Sequence, residues 1–206
     1  MCTAAQASFI TNASGLAGPH QTVDFESVAL VQNSPVTTEF LSLGVSFGNA
    51  FGNPDPTPGY ANISGNRIGN FQGGIGNQGT LVLNFGAVQS SVAFALVTAA
   101  GGVSTFRAYI QDALVEEATA NTTFDNLNNF FGFEGIRFDR VTLSVASFDR
   151  ALMIDNLQTI GAAVPVPGSS AIWALWMLGI VGANRFARRS AQSPPGNEGL
   201  MQPDAV

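Results

Sequence analysis

The side chains able to do chemistry in this sequence are oxygen donors rather than nucleophiles. Asp24 and Glu26 sit in "DFES" near the start of the chain, and Asp155 and Asn156 sit in "IDNL" well over a hundred residues later. If the first and last strands of one β domain lie side by side, these four converge and offer oxygen ligands to a structural calcium ion, a hard cation that takes about six to eight of them. The same carboxylates, with Asp139, are the raw material of a glycosidase pair, but that chemistry needs a separation that spacing along the chain does not set. The rest of the catalytic repertoire is missing. There is one histidine, His20, in a polar stretch, and one cysteine, Cys2, with no Cys–His pairing, no G-x-S-x-G and no glycine-rich phosphate loop running into a helix. The sequence reads as non-catalytic.

A second group lies between Gly48 and Gly79, a stretch with nine glycines, six asparagines and two charges. Loops this long are commonly functional. Tyr60 offers a flat face for a sugar ring, and Asn53, Asp55, Asn62 and Arg67 offer hydrogen bonds to its hydroxyls. Trp173 and Trp176 both belong to an apolar segment near the carboxyl end, which leaves Tyr60 and Tyr109 as the aromatic platforms of the polar region. "GGIGNQGTL", from Gly73 to Leu81, echoes a calcium-binding nonapeptide but lacks its Asp and occurs once, so it reads as a turn.

The elements that must position these groups are strands. From Thr22 to Gly161 apolar residues recur with period two between turn residues. "TVDFESV", "TEFLSLGVSFG", "TLVLNFG", "SSVAFALVT", "STFRAYIQ", "ALVEEATA", "NNFFGFE", "IRFDRVTLSVA" and "ALMIDNLQTI" each predict a short strand. "AAGG" and "NTTFDNLNN" read as breaks. The Gly48–Gly79 stretch reads as a surface excursion carrying one short strand around Arg67 to Phe71. Strand centres about ten residues apart predict an all-β domain, an antiparallel β-sandwich or jelly roll. Its core should hold Phe47, Phe85, Phe94, Phe106, Phe133 and Phe138, each worth about 2–3 kcal/mol when buried.

Composition bounds the partners. The formal net charge is −6, there is no lysine, and before Asn184 five arginines stand against twelve acidic residues. Such a surface repels a phosphate backbone, so nucleic acid is excluded as a partner. A single cysteine permits no internal disulfide. At the amino end, Ala5-Gln6-Ala7 has the form read by signal peptidase, and residues 1–7 read as the remnant of a signal peptide.

The carboxyl end differs from everything before it. "VPVPGSSAIWALWMLGIVGANRFARR" joins a proline pair, thirteen uncharged residues from Ala171 to Ala183, and an arginine cluster. At 1.5 Å per residue, the twenty residues from Gly168 to Ala187 make a helix about 30 Å long, the thickness of a bilayer core, provided that Arg185 snorkels. Trp173 and Trp176 suit one interface, and Arg185, Arg188 and Arg189 suit the cytoplasmic one. Pro165 and Pro167 keep Val164–Pro167 extended, the conformation a protease binds.

On these residues the segment resembles the PEP-CTERM and VPLPA-CTERM sorting signals of Gram-negative bacteria; Val166, standing where the commonest motif has Glu, points to the VPLPA type. "VDFESVAL", "LGVSFGNAF" and "ALMIDNLQ" are similar to the β-sandwich domains joined to such tails. The resemblance implies an exosortase-like protease as processing partner, with Val164, Pro165, Val166, Pro167, Arg185, Arg188 and Arg189 as the sorting motif. It also implies an intermediate inserted in the inner membrane, and then the cell surface or extracellular matrix. The expected organisation is a signal-peptide remnant at 1–7, a β-sandwich at 8–161, a sorting segment with a single transmembrane helix at 162–189, and a disordered tail at 190–206. The expected function is that of an exported, non-catalytic surface or matrix protein, with binding of extracellular polysaccharide as the alternative.

Overall fold

The structure, a computed structural model, describes residues 8–73, 76–146 and 151–162, without the side chains of residues 56–58. These residues belong to the first of two units into which the chain divides, Met1–Ala163. The segment expected to precede the domain, the sorting motif from Val164 to Arg189 with its transmembrane helix, and the tail lie outside the described residues. Among the described residues no helix is long and apolar enough to cross a membrane.

The described chain is all-β and its strand pairs are antiparallel. In chain order the strands are β1 (Ser8–Asn12), β2 (Gln21–Val23), β3 (Pro35–Val36), β4 (Val45–Gly48), β5 (Ala50–Gly52), β6 (Asp55–Tyr60), β7 (Ile63–Gly65) and β8 (Ile68–Gly69). They continue with β9 (Phe71–Gln72), β10 (Gly76–Asn77), β11 (Leu81–Thr98), β12 (Gly102–Ile110), β13 (Ala113–Thr122), β14 (Phe130–Val145) and β15 (Leu152–Gly161). A single 3₁₀ turn, Leu41–Leu43, precedes β4.

Two long strands organise the rest. β11 runs for 18 residues and β14 for 16, and they pair along most of their length. Their first and second halves keep different company. The start of β11 pairs with β4, and the end of β14 pairs with β12, which carries β13 on its far side. The end of β11 pairs with β15, and the start of β14 pairs with β1. Between the halves the register slips on both strands, first through Phe85–Val88 of β11 and then through Gly135–Arg137 of β14, where Gly135 has φ 77°. Bulges of this kind bend a strand, and a positive φ is what glycine permits at no steric cost.

The bend folds the sheet onto itself. Phe106 of β12 pairs with Leu143, twelve residues along β14 from Phe131, which a straight strand would place about 40 Å away. Yet the rings of Phe106 and Phe131 stack with centroids 5.4 Å apart, and Phe9 and Phe94 lie 5.1 and 6.3 Å from Phe106. Two layers therefore face each other across a phenylalanine core, and all six phenylalanines expected there are buried. Phe25, Phe40 and Phe131 join them. The second-half layer has apolar residues on its other face too. Ala93, Ala95 and Val97 of β11 pack there with Ile10, Leu16, Ile63 and Phe130, flanked by Tyr60 and Met153.

Several expectations need correction. "TLVLNFG" and "SSVAFALVT" are one strand, as are "NNFFGFE" and "IRFDRVTLSVA", because the bulges absorb the turn residues between them without breaking the pairing. "TVDFESV" stops being strand at Val23, since Phe25 has φ 61° and turns the chain. "EFLSL" forms the 3₁₀ turn rather than strand. The Gly48–Gly79 stretch is no mere surface excursion: β5 and β8 pair with each other, β8 pairs with β15, and Ala50, Ile63, Arg67, Ile68 and Asn70 are buried.

Candidate functional site

Alternation along one short segment sets up the site. Ile68 pairs with Ile154 and enters the main core, so Arg67, one residue earlier, turns to the opposite face, the side of Met153 and the second apolar cluster. The Arg67 carbonyl accepts a hydrogen bond from the Asn53 backbone N–H, 2.9 Å, which ties the exit of β5 to the entry of β8. Between them β6 and β7 form a hairpin, with Asp55 opposite Gly65 and Tyr60 opposite Ile63. Asn53, Asp55, Tyr60 and Arg67 thereby come to line one cavity of about 330 Å³. Phe71, Phe124, Ala151, Met153 and the chain from the end of β11 into the next turn, Val97–Ala99, form the rest of its described wall.

The Arg67 guanidinium is the electrostatic centre of this wall. Its side chain is 4% exposed, and Nη2 donates to Asp55 Oδ2 at 2.6 Å, while the Asp55 side chain is 40% exposed. The Tyr60 ring centroid lies 5.8 Å from Arg67 Cζ, within cation–π range. Arg67 Nε and Nη1 are buried with no hydrogen-bond partner among the described residues. Each unmade bond of that kind costs about 1–3 kcal/mol. Arg67 holds a partly exposed carboxylate in place at the cavity. Asn53 Nδ2 contacts Met153 Sδ at 3.0 Å, and Phe124 is 52% exposed.

Four of the five loop residues expected to bind a ligand thus come together. Asn62 does not line the cavity. It occupies the tip of the hairpin with φ 56°, and its amide donates to the Ala13 carbonyl and to Asn129 Oδ1. Phe124 and Phe71 were not foreseen; the available signal was an aromatic inside the polar break "NTTFDNLNN".

Asp24, Glu26, Asp155 and Asn156 do approach one another, but each of the three carboxylates already serves a backbone N–H. Asp24 Oδ1 accepts from Glu26 N at 3.1 Å and Glu26 Oε1 from Asn66 N at 2.6 Å. Asp155 accepts from Ser64 N at 2.9 Å and from Asn156 N at 2.6 Å. Asn156 has φ 49° and its amide donates to the Asn62 carbonyl. Among the described residues no group of three or more His, Cys, Asp or Glu is disposed to hold a metal ion. The set pins the β6–β7 hairpin to β15 and to the loop after β2. Burial pushes the Asp155 carboxyl up to about 6; the two N–H bonds oppose this, and the Glu26 and Asp24 charges add to it. His20 is exposed, its Nδ1 2.9 Å from the Gly18 carbonyl oxygen. Tyr109, the other aromatic platform, lies under Arg140, 4.5 Å from ring centroid to Cζ.

A second cavity, of about 350 Å³, lies between the Leu41–Val45 turn and the β11 bulge at Phe85–Gln89. Among the described residues that line it none has an ionisable side chain.

No family model and no curated protein matches the chain. Among solved structures it is similar to a variant of a family 29 carbohydrate-binding module, at 15% identity and a TM-score of 0.35 over 78% of this chain and 99% of that one, a likeness too slight to bear on the fold or the site.

Proposed function

We propose that this chain is an exported, non-catalytic cell-surface or matrix protein whose β domain binds carbohydrate in the Asp55–Tyr60 cavity. One observation supports the binding reading above the rest: a partly exposed carboxylate is held on a cavity wall by a buried arginine, beside Tyr60 and a half-exposed phenylalanine. A few fixed polar groups set among aromatic side chains are what sugar recognition requires, because a sugar ring has apolar C–H faces and hydroxyl edges. The two apposed layers are read as a β-sandwich of jelly-roll type. Export rests on the carboxyl-terminal sequence, whose prolines, apolar run and arginines resemble a sorting signal handled by an exosortase-like protease.

The test is a polysaccharide and glycan panel probed with the full chain and with Tyr60→Ala, together with fractionation of expressing cells. Binding to at least one glycan, weakened about tenfold or more in the variant, and recovery in membrane and surface fractions are expected. A panel without any hit removes the binding reading, and full-length chain dissolved in the cytosol removes the export reading.

A further inference from the structure

We propose that the cavity selects neutral saccharides over acidic ones, with Asp55 as the group that reads the ligand's hydroxyls; this rests on the carbohydrate-binding reading above. The two members of the ion pair are not equally placed. Asp55 is 40% exposed and Arg67 only 4%, so a ligand in the cavity meets the carboxylate while the cation lies behind it. The Arg67 nitrogens that Asp55 does not engage, Nε and Nη1, are buried.

A carboxylate accepts hydrogen bonds and cannot donate them, so its complement is a group rich in O–H donors. Sugar hydroxyls are such groups, and they can accept from the Asn53 amide as readily as they donate to Asp55. A uronate or a sulfate ester would bring a second negative charge to the same wall. Among the described residues Arg67 is the one cation lining the cavity, and Asp55 already neutralises it. The wider field points the same way, since the chain carries a formal net charge of −6. Size limits the ligand as well: about 330 Å³ stands at the lower end of small-molecule sites and holds about one or two sugar rings. Tyr60, Phe71 and Phe124 supply apolar surface for their C–H faces.

The experiment is calorimetric titration of the full chain, and of Asp55→Asn, with neutral hexose oligosaccharides and with polygalacturonate oligomers, each at low and high salt. Neutral oligomers are expected to bind at least tenfold more tightly than the acidic ones, with an affinity that salt leaves unchanged. Asp55→Asn should weaken neutral binding about tenfold. Tighter binding of polygalacturonate, falling as salt rises, overturns the selectivity while leaving carbohydrate binding intact. A neutral-to-acidic ratio that stays unchanged in Asp55→Asn, which removes the repelling charge and leaves Arg67 unneutralised, does the same. If neither class binds, the underlying reading fails and this one with it. Circular dichroism checks that the variant folds; if it does not, the salt response and the neutral-to-acidic ratio of the unaltered chain decide.

Discussion

Asp55 and Asp155 are carboxylates of the same domain in contrasting circumstances. Asp55 has a guanidinium 2.6 Å away, whereas Asp155 is buried with two backbone N–H groups and, among the described residues, no paired cation. The Asp155 carboxyl is therefore raised from 3.8 to about 6, and the folded state binds that proton more readily than the unfolded chain. The stability this group contributes is fully present below the unfolded value and is lost as pH rises through the folded one. Urea midpoints should accordingly show the parent chain losing on the order of 2 kcal/mol relative to Asp155→Asn between about pH 4 and pH 7. Parallel pH profiles for the two proteins would contradict this assignment. At this scale much of the site was legible. Asp55 and Arg67 stand out as the two charges of the Gly48–Gly79 stretch and Tyr60 as its one tyrosine, whereas Asn53 is one of six asparagines there. Asn62 belongs to the same pattern but serves a tight turn, where its small polar side chain tolerates a positive φ. Spacing alone does not tell those two uses apart. Nor could it show that Asp24, Glu26 and Asp155 would spend their oxygens on backbone N–H groups.

Between β11 and β14 the packing is tight enough to exclude a side chain. Gly132 faces Ala93 of β11 on one side and Ile10 of β1 on the other, and a Cβ there would run into the Val92 carbonyl oxygen. Gly132→Ala should therefore destabilise the domain by about 3 kcal/mol or more, since the obstacle is backbone and cannot rotate away. Gly101→Ala, where a Cβ meets nothing within 4 Å, should change stability by less than about 0.5 kcal/mol. Thermal melts of the two variants check both, and equal melting temperatures would refute the packing argument. Alternation of apolar residues located the long strands and their inward phenylalanines, because period two is a property of the pleat itself. It did not reveal that β11 and β14 continue through their bulges, since Gly86 and Gly135 look like turn residues in the sequence. Strands as short as β5, β7 and β10 carry no periodicity at all, which is why the stretch that builds the site read as an excursion with one short strand, around Arg67 to Phe71.

Taken whole, the described domain is a folded-over antiparallel sheet with two apolar faces, and the Asp55–Tyr60 cavity lies beside the second one. Few charges, an acidic balance and a neutral ion pair at the cavity suit a surface protein that binds uncharged polymer. The carboxyl-terminal signal that would deliver it there is read from sequence. The most direct measurement is a crystal structure of the protein with a neutral oligosaccharide bound. The account predicts sugar density between Tyr60 and Phe124, with a hydroxyl within hydrogen-bond distance of Asp55. Sugar seated instead in the cavity between Leu41 and Phe85 would contradict it.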